Sequence, residues 1–454
     1  MPDMVTAAFR FGFGLPLTEG SPQDTEAKIS AVKSTDKMAN AFPSVTSAEL
    51  FPVMDEIQDW LKIRRRGTPE QSEAAAGKIR ELTAQIAAKA ELGLRAAISR
   101  AVDAPDGFRE RLVLFWANHF TTTARSRYAA ALPVTHCEEA IRPNLAGKFE
   151  DLLIAATLHP AMLDYPDQSS SVGPNSPFGQ RKNKGLNENL ARELIELHTL
   201  GAGAGYTQAD VRELAELLTG AFVAKDGFRF AVGRAEPGPE TVLGKTYDGP
   251  KLEPILAVLR DLARRPETAR HLATKLAVHF VSDAPDPALV AAIEQAWLAS
   301  SGDLPTAYRA LLDHPAAWDA PAAKARQPFE FLVASLRALG LSGADVMALP
   351  TRDLRRAIMI PLRQMGQPWL NAPGPDGWPE APERWLNAPG LAARITWAME
   401  QPLRLLPTPP EPETLMQRAL GPRISPALAW AVPKAETQRS GLGLVLASPE
   451  FNRR

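Results

Sequence analysis

The stretch Gly185-Leu-Asn-Glu-Asn-Leu-Ala-Arg-Glu-Leu-Ile-Glu-Leu-His-Thr-Leu200 carries leucines three or four positions apart. At about 100° per residue, leucines with this spacing fall on one face of an α-helix, which a protein buries against its core. The face consists of Leu186, Leu190, Leu194 and Leu197. Glu188 and Arg192 project together on the opposite side as an (i, i+4) ion pair, which we interpret as structural. The stretch therefore predicts one helix of a multi-helix core.

The polar residues of the same stretch lie beside its buried face. Glu193 projects close to the leucines, and Asn189 and Glu196 share its flank. Asn187 and His198 lie on the other flank. A carboxylate at an apolar face must be paired, hydrogen-bonded or protonated, and such groups concentrate at functional sites. Glu193 is therefore the first candidate for a catalytic group, while the alternative of a structural glutamate paired with an arginine of another helix stays open.

The composition excludes several classes of protein. The 454 residues include 51 lysines and arginines and 52 aspartates and glutamates, so the formal charge of −1 supplies no drive toward nucleic acid. A single cysteine, Cys137, excludes an intramolecular disulfide framework and metal sites built from several thiolates. No apolar run reaches the length of about 18 residues that a transmembrane helix needs. With no export signal visible, we expect a cytoplasmic protein, and a periplasmic location stays open.

The fold class predicted from the whole chain is mainly α. Forty-one prolines, 30 glycines and only five tyrosines favour helices joined by proline-rich loops over sheets. The segment 108–120 predicts a helix with His119 on its apolar face. Weak strand signals at 228–232 and 241–243 predict one small β-hairpin. We expect a helical core unit over residues 1–349 and a Pro/Trp-rich C-terminal segment with closing helices over 350–454, packed on that core.

A repeated hexapeptide marks the C-terminal segment. Trp369-Leu-Asn-Ala-Pro-Gly374 recurs as Trp385-Leu-Asn-Ala-Pro-Gly390, with Trp378 between the copies. Prolines and tryptophans crowd together from Gln367 to Pro412, which predicts a long irregular segment on the surface. The tryptophans either anchor this segment or form an aromatic platform for a sugar or peptide.

Another recurring pattern concerns histidines. His159-Pro160, His314-Pro315 and Ser448-Pro449 each follow an apolar run and precede a short helical segment. A polar residue before a proline at the first helical position is typical of a helix N-cap. We therefore predict caps at these positions and discount both histidines as catalytic groups.

Several motifs resemble the bacterial domain-of-unknown-function family numbered 1800. The resemblance covers nearly the whole chain and rests on Arg10-Phe-Gly-Phe-Gly14, Phe115-Trp-Ala-Asn-His-Phe120, the block 185–201 and Ala447-Ser-Pro-Glu-Phe451, among others. It implies a mostly helical protein without an assigned activity, often exported and often encoded beside a sulfatase-like partner. Relatives usually carry Arg-His-Asp-Pro-Gly where this chain has Arg234-Ala-Glu-Pro-Gly238. If that histidine is catalytic in relatives, this chain lacks it.

Three functional hypotheses follow. The leading one is a hydrolase that acts on a sugar or cell-envelope polymer, with Glu193 and Glu196 as paired carboxylates and His119 or His198 as a second proton carrier. The substrate-binding candidates are Asn118, Asn187, Asn189, Trp369, Trp378 and Trp385. The second hypothesis is a non-catalytic binding or assembly protein with a buried polar network. The third is a metal protein in which the two glutamates and a histidine hold a divalent cation, although the sequence requires no cofactor.

Overall fold

The computed structural model describes residues 4–17, 21–22, 24–319 and 323–454. Within these ranges the chain is mainly helical, with two small antiparallel two-stranded sheets, which confirms the predicted fold class. In the N-terminal third the α-helices are α1 (Met4–Arg10), α2 (Thr25–Lys33), α3 (Lys37–Ala41), α4 (Ser47–Arg66), α5 (Pro69–Asp103), α6 (Phe108–His119), α7 (Leu132–His136), α8 (Phe149–Leu158) and α9 (Pro160–Asp164). None of the helices in the described ranges is long and apolar enough to cross a membrane.

The middle of the chain continues with α10 (Pro177–Lys182), α11 (Asn189–Glu193), α12 (Gln208–Leu217), α13 (Leu252–Arg264), α14 (Pro266–Phe280), α15 (Pro287–Ala299), α16 (Leu304–Asp313) and α17 (Ala316–Asp319). The C-terminal part holds α18 (Pro328–Leu339), α19 (Gly343–Ala348), α20 (Thr351–Leu354), α21 (Ile360–Gln364), α22 (Ala388–Glu400), α23 (Pro402–Leu405), α24 (Pro412–Leu420), α25 (Pro426–Ala431), α26 (Gln438–Leu446) and α27 (Pro449–Asn452). Wider π-helical turns occupy Cys137–Ile141, Leu194–His198 and Arg355–Met359.

Local capping explains where several helices begin. His159 and His314 accept hydrogen bonds through Nδ1 from the backbone N–H groups two residues ahead, at 3.1 and 3.3 Å. Ser448 accepts one from the N–H of Phe451. These contacts confirm the predicted N-cap roles, because the side chains satisfy backbone donors that have no partner inside the helix.

The two sheets are separate hairpins. Strand β1 (Ala221–Ala224) pairs with β2 (Gly227–Phe230), and β3 (Pro239–Val242) pairs with β4 (Lys245–Asp248). The two predicted strand segments therefore each find a neighbouring partner and do not pair with each other. The cause is local: Leu243 and Gly244 have φ values of 51° and 78°, so a two-residue turn reverses the chain directly after β3.

Three clusters of buried side chains form the core. The first joins α6 and α8 to α11–α16, and the third lies beneath α4, α5 and α7. The second joins part of α5 and all of α18 to the C-terminal helices. The second cluster thus combines side chains of α5 with those of α18 and the C-terminal helices.

The Pro/Trp-rich segment is shorter than predicted. Residues 366–387 are irregular apart from one short turn, but α22 and α23 follow where we expected continued loop. The second hexapeptide starts α22, because the Asn387 side chain accepts a hydrogen bond from the N–H of Gly390 at 2.8 Å. In the first copy Leu370 has a φ of 44° and no helix follows. The two copies are therefore not structurally equivalent.

Candidate functional site

The helix predicted over 185–200 contains a change of pitch. It runs as α11 to Glu193 and then widens into the π turn 194–198. Leu190 and Leu194 are buried as expected, whereas Leu186 and Leu197 are only partly buried. A π turn rotates the residues that follow it, so His198 becomes fully buried instead of lying along an outer flank. Single π turns of this kind occur frequently at functional sites.

Glu193 is the last residue before this turn, and its carboxyl group is mostly buried. Its Oε2 atom has no hydrogen-bond partner among the residues that the structure describes. Burial raises the pKa of Glu193 from 4.5 to about 7. Within the described residues no arginine forms an ion pair with it, so the arrangement differs from the structural alternative of a sealed glutamate–arginine pair.

Glu196 has a different environment from Glu193. Arg192 lies between two carboxylates, 3.2 Å from that of Glu196 and 3.6 Å from that of Glu188. The contact with Glu188 is the predicted (i, i+4) ion pair. Burial raises the pKa of the nearby Tyr206, and the negative charge of Glu196 raises it further. The structure therefore places Glu196 in an ordinary surface ion pair.

The charges of two carboxylates act on Tyr165: Glu193 and Asp376, the latter from the irregular C-terminal segment. Tyr165 directly follows α9. Burial raises the pKa of Tyr165, and the negative charges of Glu193 and Asp376 raise it further. Tyr165 thus lies within electrostatic range of both carboxylates, which come from parts of the chain far apart in sequence.

Asn118 holds the segment that carries Asp376. Its Nδ2 donates to the carbonyl of Trp378 at 3.0 Å, and its Oδ1 accepts from the Trp378 N–H at 2.6 Å. Gly377 has a φ of 79°, and a Cβ atom there would lie 2.5 Å from the Asn118 carbonyl oxygen. Asn118 therefore positions the loop through its side chain, whereas the sequence suggested direct substrate contact.

Replacing Asn118 with alanine should loosen this loop. The change removes both hydrogen bonds and leaves the backbone groups of Trp378 without these partners, which typically costs about 1–3 kcal/mol of folding free energy. Chemical denaturation measures the loss, and the tryptophan emission should shift to longer wavelength as Trp378 becomes wetter. Asn371→Ala is a matched control, because Asn371 is exposed and forms no side-chain hydrogen bond within the described residues. Equal losses in both variants would contradict the positioning role.

His198 is the last residue of the π turn, and His119 and His271 lie beside it. His119 Nε2 donates to the carbonyl of His198 at 3.1 Å, and His271 Nε2 donates to the carbonyl of Leu197 at 3.2 Å. The ring centroids of His119 and His198 are 5.8 Å apart. Both ring nitrogens of His198, and Nδ1 of His119, are buried and find no hydrogen-bond partner in the described part of the chain. Burial lowers the pKa of His198 to about 3, so its ring is neutral at pH 7.

Lys275 lies beside these imidazoles on α14. Burial lowers the pKa of its amine to about 8, while the charges of Glu380 and Asp376 act in the opposite direction. Lys275 forms no ion pair with any residue that the structure describes. His271, Lys275 and His279 recur every four residues and so share one face of the helix. The site therefore contains a carboxyl group and an amine that both titrate near neutral pH.

The remaining predicted residues have mainly structural contacts. Asn187 Nδ2 donates to the carbonyls of Pro166 and Asp167, and the Asn189 side chain is exposed. Trp378 packs edge to face on Trp385, with their ring centroids 5.9 Å apart. The buried Trp385 donates its indole N–H to Pro379.

Residues 8–453 match the sequence model of a protein family, DUF1800, whose description is "protein of unknown function". The chain belongs to the DUF1800 family. No curated protein and no solved structure matches it. The family resemblance of the sequence motifs is therefore confirmed.

The DUF1800 chain also has a cleft beneath residues 367–378, which we call the tryptophan cleft. This cleft, with a volume of about 80 Å³, lies between α5, α6, the start of α18 and residues 367–378. Trp369 and Trp378 line it together with Asn118, whereas Glu193, Glu196 and His198 do not. Trp369 stacks on Phe329, and its buried indole Nε1 has no hydrogen-bond partner within the described ranges.

The glutamates and histidines of the site do not converge as metal ligands. Among the described residues, one group of at least three side chains has ligand atoms within 4.8 Å of each other: Glu213, Glu216 and Glu240. These residues lie on α12 and β3 of this DUF1800 protein. The carboxylate–histidine arrangement proposed from the sequence would therefore need side chains to move.

Sequence reasoning missed three groups of the site. Lys275 had a usable signal, because His271, Lys275 and His279 place three basic side chains on one face of a helix that also carries buried leucines. Tyr165 and Asp376 had none, since their relation to Glu193 exists only in the folded DUF1800 chain.

Proposed function

We propose that the protein is a hydrolase in which Glu193 acts as a general acid or base. The observation that supports this most directly is the buried, unpartnered Oε2 of Glu193 on a carboxyl group whose pKa burial raises to about 7. A catalytic acid or base works best when its pKa lies near the operating pH. Structural glutamates in protein interiors are normally hydrogen-bonded or paired, and Glu193 is neither at this oxygen.

We assign the second carboxylate role to Asp376, where the sequence suggested Glu196. Asp376 and Glu193 both act on Tyr165, whereas Glu196 is paired with Arg192. In this arrangement the protonated Glu193 donates to the leaving group and Asp376 carries the negative charge that stabilises the transition state or activates water. Lys275, whose pKa burial lowers to about 8, supplies a positive charge that interacts with Asp376.

A sugar or envelope polymer is the substrate class that this proposal favours. Asp376 is two residues from Trp378, which lines the tryptophan cleft together with Trp369. Flat sugar faces pack on aromatic rings, and paired carboxyl groups suit glycosidic bonds. The cleft and the carboxylates would then bind and cleave one extended substrate.

The experiment compares wild type, Glu193→Gln and Glu196→Gln on a panel of glycans and of ester and peptide model substrates, with metal content measured on the same preparations. We expect Glu193→Gln to lower kcat by about 10²- to 10⁴-fold, the usual contribution of a general acid or base. Glu196→Gln is the matched control from the same helix and should retain activity. Turnover that survives in Glu193→Gln, or that falls equally in both variants, would reject the assignment.

The non-catalytic binding protein remains the second candidate because of one observation. Trp369 lines the cleft, and its buried indole N–H has no acceptor among the described residues, so a ligand that displaces the atoms covering it gains a hydrogen-bond donor. Retention of a glycan by wild type and Glu193→Gln alike, with no turnover of any substrate by either, would favour this candidate.

A further inference from the structure

The segment 351–364 presents an unusual exposed face. Helix α20, the π turn 355–359 and α21 form one continuous helix there. Leu354, Ile358 and Leu362 on one side are buried in the core. The opposite, exposed side carries Arg352, Arg355, Arg356, Met359, Ile360 and Arg363. We call these six residues the arginine face.

The four arginines of this face carry uncompensated charge. Within the described residues, none of them forms an ion pair, unlike buried or half-buried arginines such as Arg100 and Arg142. The one acidic residue of the helix, Asp353, is partly buried and is not one of the six exposed side chains. The nearby Glu400 is already paired with Arg404 and Arg439. The arginine face is therefore strongly positive on a chain whose net charge is −1.

Two large apolar side chains interrupt the arginines. Met359 is 39% exposed and Ile360 is 40% exposed. They follow Arg355 and Arg356 and precede Arg363, so the apolar pair lies in the middle of the charged residues. Ile360 and Arg356 also line an open groove against α22. The arrangement combines positive charge with apolar surface along one helix.

We propose that the arginine face docks on a lipid surface rich in anionic headgroups. Each arginine near such a surface contributes about 1 kcal/mol, and apolar side chains among them enter the boundary between headgroups and acyl chains. The helix lies parallel to the surface, which lets the four arginines and both apolar residues make contact together. A nucleic acid would pair with the arginines but would leave Met359 and Ile360 in water, so the lipid surface fits the whole face better. This proposal is independent of the role of Glu193.

The test uses the full chain and flotation with two kinds of vesicle. One contains phosphatidylcholine alone, and the other contains phosphatidylcholine with phosphatidylglycerol. We expect binding to the anionic vesicles only, with affinity falling as salt is raised because counterions screen the contacts. The variant Arg352→Gln, Arg355→Gln, Arg356→Gln should bind about 100-fold more weakly, the loss expected for three headgroup contacts.

The matched control removes three charges elsewhere. Arg64, Arg65 and Arg66 are exposed at the end of α4, and no residue in the described ranges forms an ion pair with them. Replacing all three with glutamine changes the net charge equally and should leave vesicle binding unchanged. The variant Met359→Ser, Ile360→Ser should weaken binding while keeping its dependence on salt, because only the apolar contribution is lost.

Four outcomes would overturn the proposal. They are no binding of the wild type to anionic vesicles, equal binding to both kinds of vesicle, equal loss in the two triple variants, and binding to duplex DNA without binding to vesicles. Circular dichroism on each variant establishes that the helical content is retained. If a triple variant fails to fold, Arg352→Gln and Arg363→Gln tested singly should each weaken binding about fivefold, one arginine contact apiece, and the absence of any weakening would also overturn the proposal.

Discussion

Replacing Glu330 with glutamine is expected to lower the free energy of unfolding by about 3–5 kcal/mol, the largest effect on stability that we predict. Glu330 is 3% exposed on α18. Arg111 Nη2 lies 3.2 Å from its Oε1, and Arg454 Nε lies 2.9 Å from its Oε2. Both arginines are also buried, so the substitution leaves two desolvated positive charges without their shared counter-ion.

This ion triad connects separate parts of the core. Arg111 is on α6, whose side chains pack in the first cluster, whereas Glu330 is on α18 of the second. The two arginines hold the pKa of Glu330 below its usual value in spite of its burial. The stabilisation is therefore fully present above the unfolded-state pKa of about 4.5 and is lost as pH falls through the lower pKa of the folded state.

Chemical denaturation at pH 7 measures the effect of Glu330→Gln. Glu81→Gln is the control, since Glu81 forms an exposed pair with Lys78 at 2.9 Å, and exposed pairs contribute about 0–1 kcal/mol. A loss below 1 kcal/mol for Glu330→Gln would mean that the triad contributes little beyond packing. Equal losses in the two variants would lead to the same conclusion.

Replacing Glu193 with glutamine should raise the free energy of unfolding, whereas Glu330→Gln lowers it. Because burial raises the pKa of Glu193 from 4.5 to about 7, folding above pH 7 forces a charged carboxylate into a poorly solvated position. The shift corresponds to about 3 kcal/mol at pH 8. Glutamine has a similar shape and no charge, so Glu193→Gln is expected to be more stable than wild type by about that amount at pH 8.

The pH dependence of this difference provides a sharp test. A raised folded-state pKa means that the native protein binds the proton more tightly than the unfolded chain. The contribution of Glu193 to stability therefore falls as pH rises from about 4.5 to about 7 and is constant above that range. The two proteins should be nearly equal in stability at pH 4.5, where the carboxyl group is protonated in the folded state and about half protonated in the unfolded chain.

Denaturation curves of wild type and Glu193→Gln at pH 4.5, 6 and 8 measure this, with Glu196→Gln as the partly exposed control. Destabilisation by Glu193→Gln at pH 8 would indicate a hidden partner and a structural role. Stabilisation without any loss of turnover would support the burial of the Glu193 carboxyl group but would contradict its assignment as a catalytic residue. Functional residues often lower stability in this way, because the site is arranged for its chemistry at some cost to folding.

The sequence alone determined those features whose partners are close in the chain. Helix periodicity, the N-caps at His159, His314 and Ser448, and the Glu188–Arg192 pair all depend on residues at most four positions apart. Their geometry follows from the regular helix, so the pattern of residue types is sufficient. The same holds for the mainly helical fold class. The burial of Glu193 was also predicted in this way, because its position beside a leucine face places it next to the core.

Only the tertiary structure decided what surrounds these residues. Periodicity assumes a constant pitch, and the π turn at 194–198 breaks it, which moved His198 into the interior. The approach of Asp376 to Tyr165 joins segments distant in sequence. The Arg111–Glu330 pair does so as well. The pKa of Glu193 and the exposure of Met359 likewise depend on which other elements pack nearby. Burial and electrostatic energy depend on the complete set of neighbours, and a local pattern of residues does not specify that set.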